Sequence, residues 1–367
     1  MRHFPAVLIG LSALVLTSCS AAPTEQTPGG IGEVGENQSP MAPSVVVTTT
    51  ILGSVVGDIL TCATGDDSSM TVLMPLGADP HDFQASSAQV AMMAESQLVV
   101  ANGEGLEEGV LDAIDGVEAD GVTVLRVASL VDPLPFGDAL AGGEGDSHSH
   151  DDEHDSHAEE EQDSDDEDHD EHEHEHEHEH EHEHGEFDPH FWFDMERMAL
   201  AAELIGDALA AGGDETMESC GTEIAAEIRS VDEQVSAILA SVPEDQRVLV
   251  TDHDALGYLA ERYDYDVVGV VIPGGSTLGD PNSRELAELV ATIEDRQVLA
   301  LFGDAAVSPN LLLTLSEEVG GAIEVVELFV GSLGGPDSGA ETYLEMMMTN
   351  ASRIATALAD WSPWTGG

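Results

Sequence analysis

The sequence of 367 residues contains no lysine. Its nine basic residues are all arginine and face 74 acidic ones, for a formal net charge of −65. Such a deficit of positive charge repels phosphate backbones and anionic headgroups, so neither nucleic acid nor a membrane surface is an expected partner, whereas cations are attracted. No nucleophile elbow, no HExxH and no other motif of an enzyme class is present. Long apolar runs are scarce too: the stretch Ala6–Leu16 is too short to span a bilayer. Cysteine occurs three times, at Cys19, Cys62 and Cys220.

Against these absences stands one excess. Between Gly145 and Glu186 the chain runs through SHSHDDEHDSHAEEEQDSDDEDHD into alternating Glu-His. Twelve of the sixteen histidines lie there: His148, His150, His154, His157, His169, His172, His174, His176, His178, His180, His182 and His184. With nothing apolar to bury, the tract (about residues 137–186) is expected to be disordered. Its interleaved imidazoles and carboxylates are ligand types that borderline-soft divalent metals prefer, so it reads as an auxiliary site of weak metal binding. Residues 144–186 hold 23 of the 74 acids; without them the chain still carries −42, so acidity belongs to the folded part as well.

The N-terminus reads as an address. Arg2 and His3 precede the apolar stretch, and Leu16-Thr17-Ser18-Cys19 closes it. A basic start, a short apolar region and small residues before the cut make residues 1–18 a signal peptide. The LTSC ending resembles the bacterial lipobox, which implies lipid attachment to Cys19 and a chain exported to, and held at, the outer face of the bacterial cell membrane by that anchor alone. Residues 19–42, rich in Pro, Gly, Thr and Glu, read as a flexible tether. Export puts Cys62 and Cys220 in an oxidising compartment, where a disulfide between them is expected over two free thiols.

Strand and helix patterns then alternate. Strands are expected at 44–50, 70–74, 97–101 and 122–127, with helices at 51–60, 86–95 and 106–114 between them. After the tract come helices at 195–211 and 215–241, the second with Ile224, Ile228, Val231, Val235, Ile238 and Leu239 at three-to-four spacing before Pro243. The alternation resumes with strands at 247–251, 266–271, 298–302 and 323–328, helices at 255–262, 281–294 and 310–319, and a closing helix at 340–358. The expected fold is α/β: two lobes of parallel-type sheets flanked by helices, at 43–214 and 243–367, joined by one long rigid helix at 215–242.

Three histidines remain once the tract and His3 are set aside: His81 in GADPHDF, His190 in FDPHFWFD and His253 in TDHDALGY. Each sits where a strand, or the end of the tract, meets a helix start, and ligands of open α/β sheets bind beyond the carboxyl ends of strands. Their convergence between the lobes would make a metal site. Metal-bound imidazoles usually donate the second ring N–H to a carboxylate or carbonyl; Asp79 or Asp82, Asp188 or Asp194, and Asp252 or Asp254 are the neighbours available.

On the segments VVVTTTILGSVVGDI, VLMPLGADPHDF, ANGEGLEEGVLDA, DPHFWFD, VTDHDALGYLAERY, TLGDPNSRELAELV, LFGDAAVSPNLLLTLSEEVG and GAETYLEMMMTNASRIATAL, with the His-rich insertion in place, the chain resembles the solute-binding lipoproteins of bacterial zinc and manganese ABC transporters (the ZnuA/TroA-like, metal-binding cluster A-I family). The resemblance covers nearly all of the mature chain. It implies two lobes, a rigid helix and one metal held in the cleft by His81, His190 and His253. It also implies a partner ABC permease with its ATPase, a monomer, and no enzymatic activity. The fourth ligand of the family is often an Asp in a segment like YSDSLG; here Phe329-Val330-Gly331-Ser332-Leu333-Gly334 has Gly331 in that place, and Asp304 is the other acidic candidate. Three imidazoles suit Zn²⁺ ahead of Mn²⁺ or Fe²⁺. The competing interpretations are a manganese- or iron-binding transporter component, a metal-buffering adhesin and, less favoured, a zinc hydrolase.

Overall fold

The computed structural model describes residues 44–65, 67, 69–136, 187–279, 281, 283–321 and 323–359. The expected signal peptide, Cys19, the tether and the insertion with its twelve histidines lie outside the described residues.

Strands buried on both faces must be apolar throughout, and the valine-rich runs of this chain supply them. In the first lobe β1 (Val45–Val47), β2 (Met70–Val72), β3 (Leu98–Ala101) and β4 (Thr123–Arg126) form a parallel sheet in the order β2-β1-β3-β4. The crossovers contain α1 (Thr50–Thr64), α2 (Ser87–Glu95) and α3 (Leu111–Ala119). Strand β1 is shorter than its β-branched run suggests, because the Thr49 hydroxyl accepts the Leu52 amide and caps α1. Helix α3 starts later than expected: Gly103, Glu104 and Gly105 all take positive φ, and a short 3₁₀ turn, Glu108–Val110, follows before α3 begins.

Two long helices follow, α4 (Met195–Ala210) and α5 (Thr216–Leu239). The second lobe repeats the first: β5 (Val248–His253), α6 (Gly257–Tyr263), β6 (Asp266–Ile272), α7 (Ser283–Arg296), β7 (Ala300–Asp304), α8 (Asn310–Glu318) and β8 (Glu324–Leu328), with strands parallel in the order β6-β5-β7-β8. Strands β5 and β7 each run two residues past the expected end, onto His253 and Asp304. Helix α9 (Tyr343–Ala359) packs back against α5 and α1.

Helix α5 buries Met217, Cys220, Ala225, Ile228, Val235 and Leu239 along one stripe. Through it a single apolar cluster runs from Val45 and Ile59 of the first lobe to Phe302 and Leu328 of the second, while two smaller clusters cover the outer faces of the sheets. Cys62 of α1 and Cys220 of α5 are joined as a disulfide. A buried charged group is retained on α5 as well: Asp232 accepts from the Tyr263 hydroxyl at 2.7 Å and pairs with Arg262, fastening α6 to the long helix. Where the insertion departs and returns, Pro135 and Phe187 form an antiparallel bridge and the Asp188 amide donates to the Leu134 carbonyl at 2.8 Å.

Candidate metal centre

Both sheets have the 2-1-3-4 order, whose switch point lies between the first and third strands, at their carboxyl ends. In the second lobe that point is occupied by His253, the last residue of β5, and Asp304, the last of β7. In the first lobe it is occupied by Glu107, fully buried, whose carboxylate accepts from the Thr48 hydroxyl (2.7 Å) and the amides of Asn102 (2.6 Å) and Gly103 (3.0 Å). Burial raises the pKa of Glu107, with those hydrogen bonds pulling the other way. Asn102, oriented in this way, donates from Nδ2 to the Pro189 carbonyl at 2.9 Å and so fixes the segment that carries His190. His81 lies in the turns between β2 and α2, its amide held by Asp79 Oδ1 at 3.0 Å.

The structure brings the three histidines together. Their ring centroids are 5.5 Å (His81–His190), 5.7 Å (His81–His253) and 5.3 Å (His190–His253) apart. One ring nitrogen from each lies within 4.8 Å of the other two, and all three residues are at most 2% exposed. Among the described residues this is the one group of three or more metal-type donors so arranged. Trp192 closes the site on one side, its ring 5.2 Å from that of His190 and nearly edge-on.

Two of the rings are oriented by carboxylates. His190 Nδ1 lies 2.8 Å from Asp188 Oδ1 and His253 Nδ1 lies 2.8 Å from Asp252 Oδ1, which leaves Nε2 of each facing the cluster. Of the neighbours weighed from sequence, Asp194 is engaged elsewhere, capping α4 and pairing with Arg197. Neither Asp79 nor Asp82 reaches the His81 ring: Asp79 takes the backbone amide, Asp82 is exposed, and the carboxylate near Nδ1 is that of Glu108, at 3.8 Å. His190 Nε2 and both ring nitrogens of His81 are buried without a hydrogen-bond partner. A buried nitrogen lone pair left so is costly unless a ligand satisfies it.

The electrostatics favour a cation. Burial, and the proximity of the other rings, hold His81 and His190 well below the usual imidazole range, so both are neutral at pH 7, the form that binds metal. Burial also acts to lower His253, but its hydrogen bond to Asp252 and the charges of Asp252, Asp304 and Asp79 outweigh that and raise it. Burial pushes Asp188 and Asp254 up to about 7, the latter also through repulsion from Asp188. Two neutral imidazoles and a third paired with Asp252, set among carboxylates, form a donor set that would suit a divalent ion, and four-coordinate zinc takes such nitrogens at about 2.0–2.1 Å.

Asp304 is not among the three converging donors. Its Oδ1 accepts the amides of Ala306 (2.9 Å) and Val330 (3.4 Å) and its Oδ2 that of Gly331 (3.1 Å); burial pushes its carboxyl up to about 6. A Cβ on Gly331 would stand 2.6 Å from Pro80 Cδ, so the proline preceding His81 occupies the space a side chain there would need. Sequence inspection missed Glu108, and also Thr277 and Ser332, whose hydroxyls bridge the lobes: Thr277 donates to Asp79 Oδ2 (2.5 Å), and Ser332 Oγ accepts the Gly77 amide (2.8 Å). Nothing in the local sequence of these three residues marks them.

The chain matches the family model described as ZnuA, zinc-uptake complex component A, periplasmic, over residues 45–357. It is 24% identical over 356 residues to the manganese-binding lipoprotein MntA of Halalkalibacterium halodurans, covering 96% of this chain and 97% of that protein. It is 25% identical over 357 residues to the zinc-binding lipoprotein AdcA of Streptococcus pneumoniae, covering 96% of this chain and 60% of that one. Among solved structures, the periplasmic zinc-binding protein TroA from Treponema pallidum superposes with a TM-score of 0.68 at 23% identity, over 87% of this chain and 99% of that one, and shares the fold.

Proposed function

Since this chain belongs to the periplasmic zinc-uptake component A family, whose members are metal-binding transport proteins and not enzymes, we propose that it captures Zn²⁺ outside the cytoplasm and delivers it to a membrane ABC permease driven by an ATPase. In this proposal the lipid on Cys19 holds it at the outer face of the membrane, and the His-rich insertion gathers ions at low affinity. No described helix is long and apolar enough to cross a membrane.

One observation carries the choice of metal: every converging donor is an imidazole nitrogen. Mn²⁺ is harder and favours carboxylate oxygen, while imidazole suits zinc. Of the two places that would supply a carboxylate, Asp304 is held by three backbone amides and does not converge with the imidazoles, and Pro80 fills the space beside Gly331. A manganese carrier is the second interpretation, favoured by the name of the MntA relative, and the donor set weighs against it.

The division of ligands supports capture and release without chemistry. His81 and His190 come from the first lobe and His253 from the second, so the full set exists only while the lobes are apposed. Further contacts hold that apposition: Tyr258 Oη accepts the Leu134 amide (2.9 Å) and donates to the Asp188 carbonyl (3.0 Å), and Trp192 Nε1 donates to the Val330 carbonyl (3.1 Å).

Calorimetric titration of the purified chain with Zn²⁺ and with Mn²⁺ tests the proposal. The expected result is one tight zinc site, weaker manganese binding, and loss of the tight site in each of His81→Ala, His190→Ala and His253→Ala. Tight zinc binding undiminished in all three variants would refute the site; manganese bound more tightly than zinc would refute the metal.

A further inference from the structure

The three imidazoles are not held alike. Asp188 and Asp252 sit at hydrogen-bond distance from Nδ1 of His190 and His253, and both carboxylates are shielded, with side chains 4% and 13% exposed. His81 has neither ring nitrogen hydrogen-bonded, and the carboxylate facing its Nδ1, that of Glu108, stands 3.8 Å away with its side chain 31% exposed.

The position of Glu108 is built into the backbone. Its 3₁₀ turn follows the positive-φ run Gly103, Glu104, Gly105 and is anchored by Glu107, whose carboxylate points the other way, into the switch point of the first sheet. Next to it Gly109 lies against the segment that carries His81: a Cβ there would come within 2.4 Å of the Phe83 carbonyl oxygen and closer still to Nε2 of the Gln84 side chain. Only a residue without a side chain allows the turn to approach that closely, and the approach sets Glu108 beside His81.

An ion on Nε2 of His81 would leave its Nδ1–H buried and in need of an acceptor, the requirement that Asp188 and Asp252 already meet for the other two rings. A movement of about 1 Å brings Glu108 to the 2.8 Å seen in those pairs. We propose that Glu108 is the positioning residue of His81, that it closes onto Nδ1 when the metal is held, and that its partial exposure makes His81 the ligand that yields first when the metal leaves. This rests on the metal-carrier proposal above and adds a residue and an order of release to it.

The test uses the full chain loaded with one Zn²⁺ and follows release into excess chelator by stopped flow. Glu108→Ala is expected to release zinc about 10–100-fold faster, the range for loss of an outer partner of a metal ligand. Glu108→Gln, which keeps an acceptor oxygen, is expected to show only part of that acceleration, and Glu104→Gln, which removes a nearby charge and leaves Glu108 in place, is expected to release zinc at the rate of the unaltered chain. A structural role alone would not move the second readout: in ¹H–¹⁵N spectra of the zinc-loaded protein the His81 Nδ1–H is expected to be protected, and to lose protection in Glu108→Ala while the Nδ1–H signals of His190 and His253 persist. Release within twofold of the unaltered chain, or an unchanged His81 signal, would overturn the assignment while leaving the carrier proposal standing. Absence of tight zinc binding in the unaltered chain would overturn both.

Discussion

Asp79 and Thr277 meet across the cleft: the threonine hydroxyl donates to Oδ2 at 2.5 Å, while Oδ1 of the same carboxylate accepts the amide of His81 at 3.0 Å. One side chain therefore ties the backbone at His81, in the first lobe, to the loop after β6 in the second lobe. A hydrogen bond to a carboxylate is worth about 1.5–3 kcal/mol, and every 1.4 kcal/mol is about tenfold in an equilibrium. Thr277→Val keeps the shape and removes the donor. Zinc release into chelator should then be about tenfold faster or more, with the fold unchanged by circular dichroism. Equal release rates would mean that this contact does not resist opening.

Gly331 and Pro80 set a second expectation. A side chain at 331 would collide with the proline ring, and overpacking of this kind costs about 1–3 kcal/mol. Gly331→Asp alone should lower the melting temperature without improving manganese binding. Combined with Pro80→Ala, which vacates the space, the new carboxylate should narrow the preference for zinc over manganese in calorimetric competition. An unchanged preference in a folded double variant would show that position 331 does not govern the choice of metal.

The metal-free protein should lose stability between about pH 6.5 and 8. Asp188 and Asp254 are raised to about 7, so across this interval the folded chain gives up protons that the unfolded chain has already released. A raised folded pKa means stability present at lower pH and lost as pH rises through it. His253, also raised, acts in the same direction, whereas His81 and His190 are lowered and add stability with rising pH only up to their unfolded value near 6.5. Bound zinc favours the carboxylates and the neutral rings, and should flatten the dependence. Calorimetric melting at constant ionic strength checks this; a metal-free melting temperature that rises over the interval would contradict it.

Deleting residues 146–184 should reduce the number of zinc ions bound while leaving one tight site. The bridge between Pro135 and Phe187 and the Asp188–Leu134 hydrogen bond close the chain at the base of the insertion, so the His190 segment keeps its anchor. Titration of the folded deletion variant decides; loss of the tight site would place a ligand in the removed residues.

Much of this architecture is legible in the sequence because its signals are periodic. Valine runs of strand length and the three-to-four stripe of α5 announce the two sheets and the helix between them. His81, His190 and His253 stand out because each follows turn residues at an element boundary and is flanked by carboxylates. Which carboxylate serves each ring is not legible, since the chain is acidic everywhere. Asp188 and Asp252 each accept the backbone amide of the histidine whose ring they orient, and Asp194, four residues past His190, is drawn off by a helix N-terminus and Arg197. Strands β5 and β7 run past the ends their apolar runs suggest, onto His253 and Asp304, because polar residues close them where the sheet meets the cleft. Thr277 and Glu108 act over distances in sequence that no local pattern encodes.

Because His253 hangs from one lobe and His81 and His190 from the other, an ion seated among them is also a bond between the lobes. Linkage then works in both directions. A membrane receptor that grips the apposed form must raise the hold on zinc by the same factor by which zinc raises the grip, and can never unload its cargo by that grip alone. Discharge calls for a receptor state that prefers the lobes apart, with an energy source outside this chain to reach it.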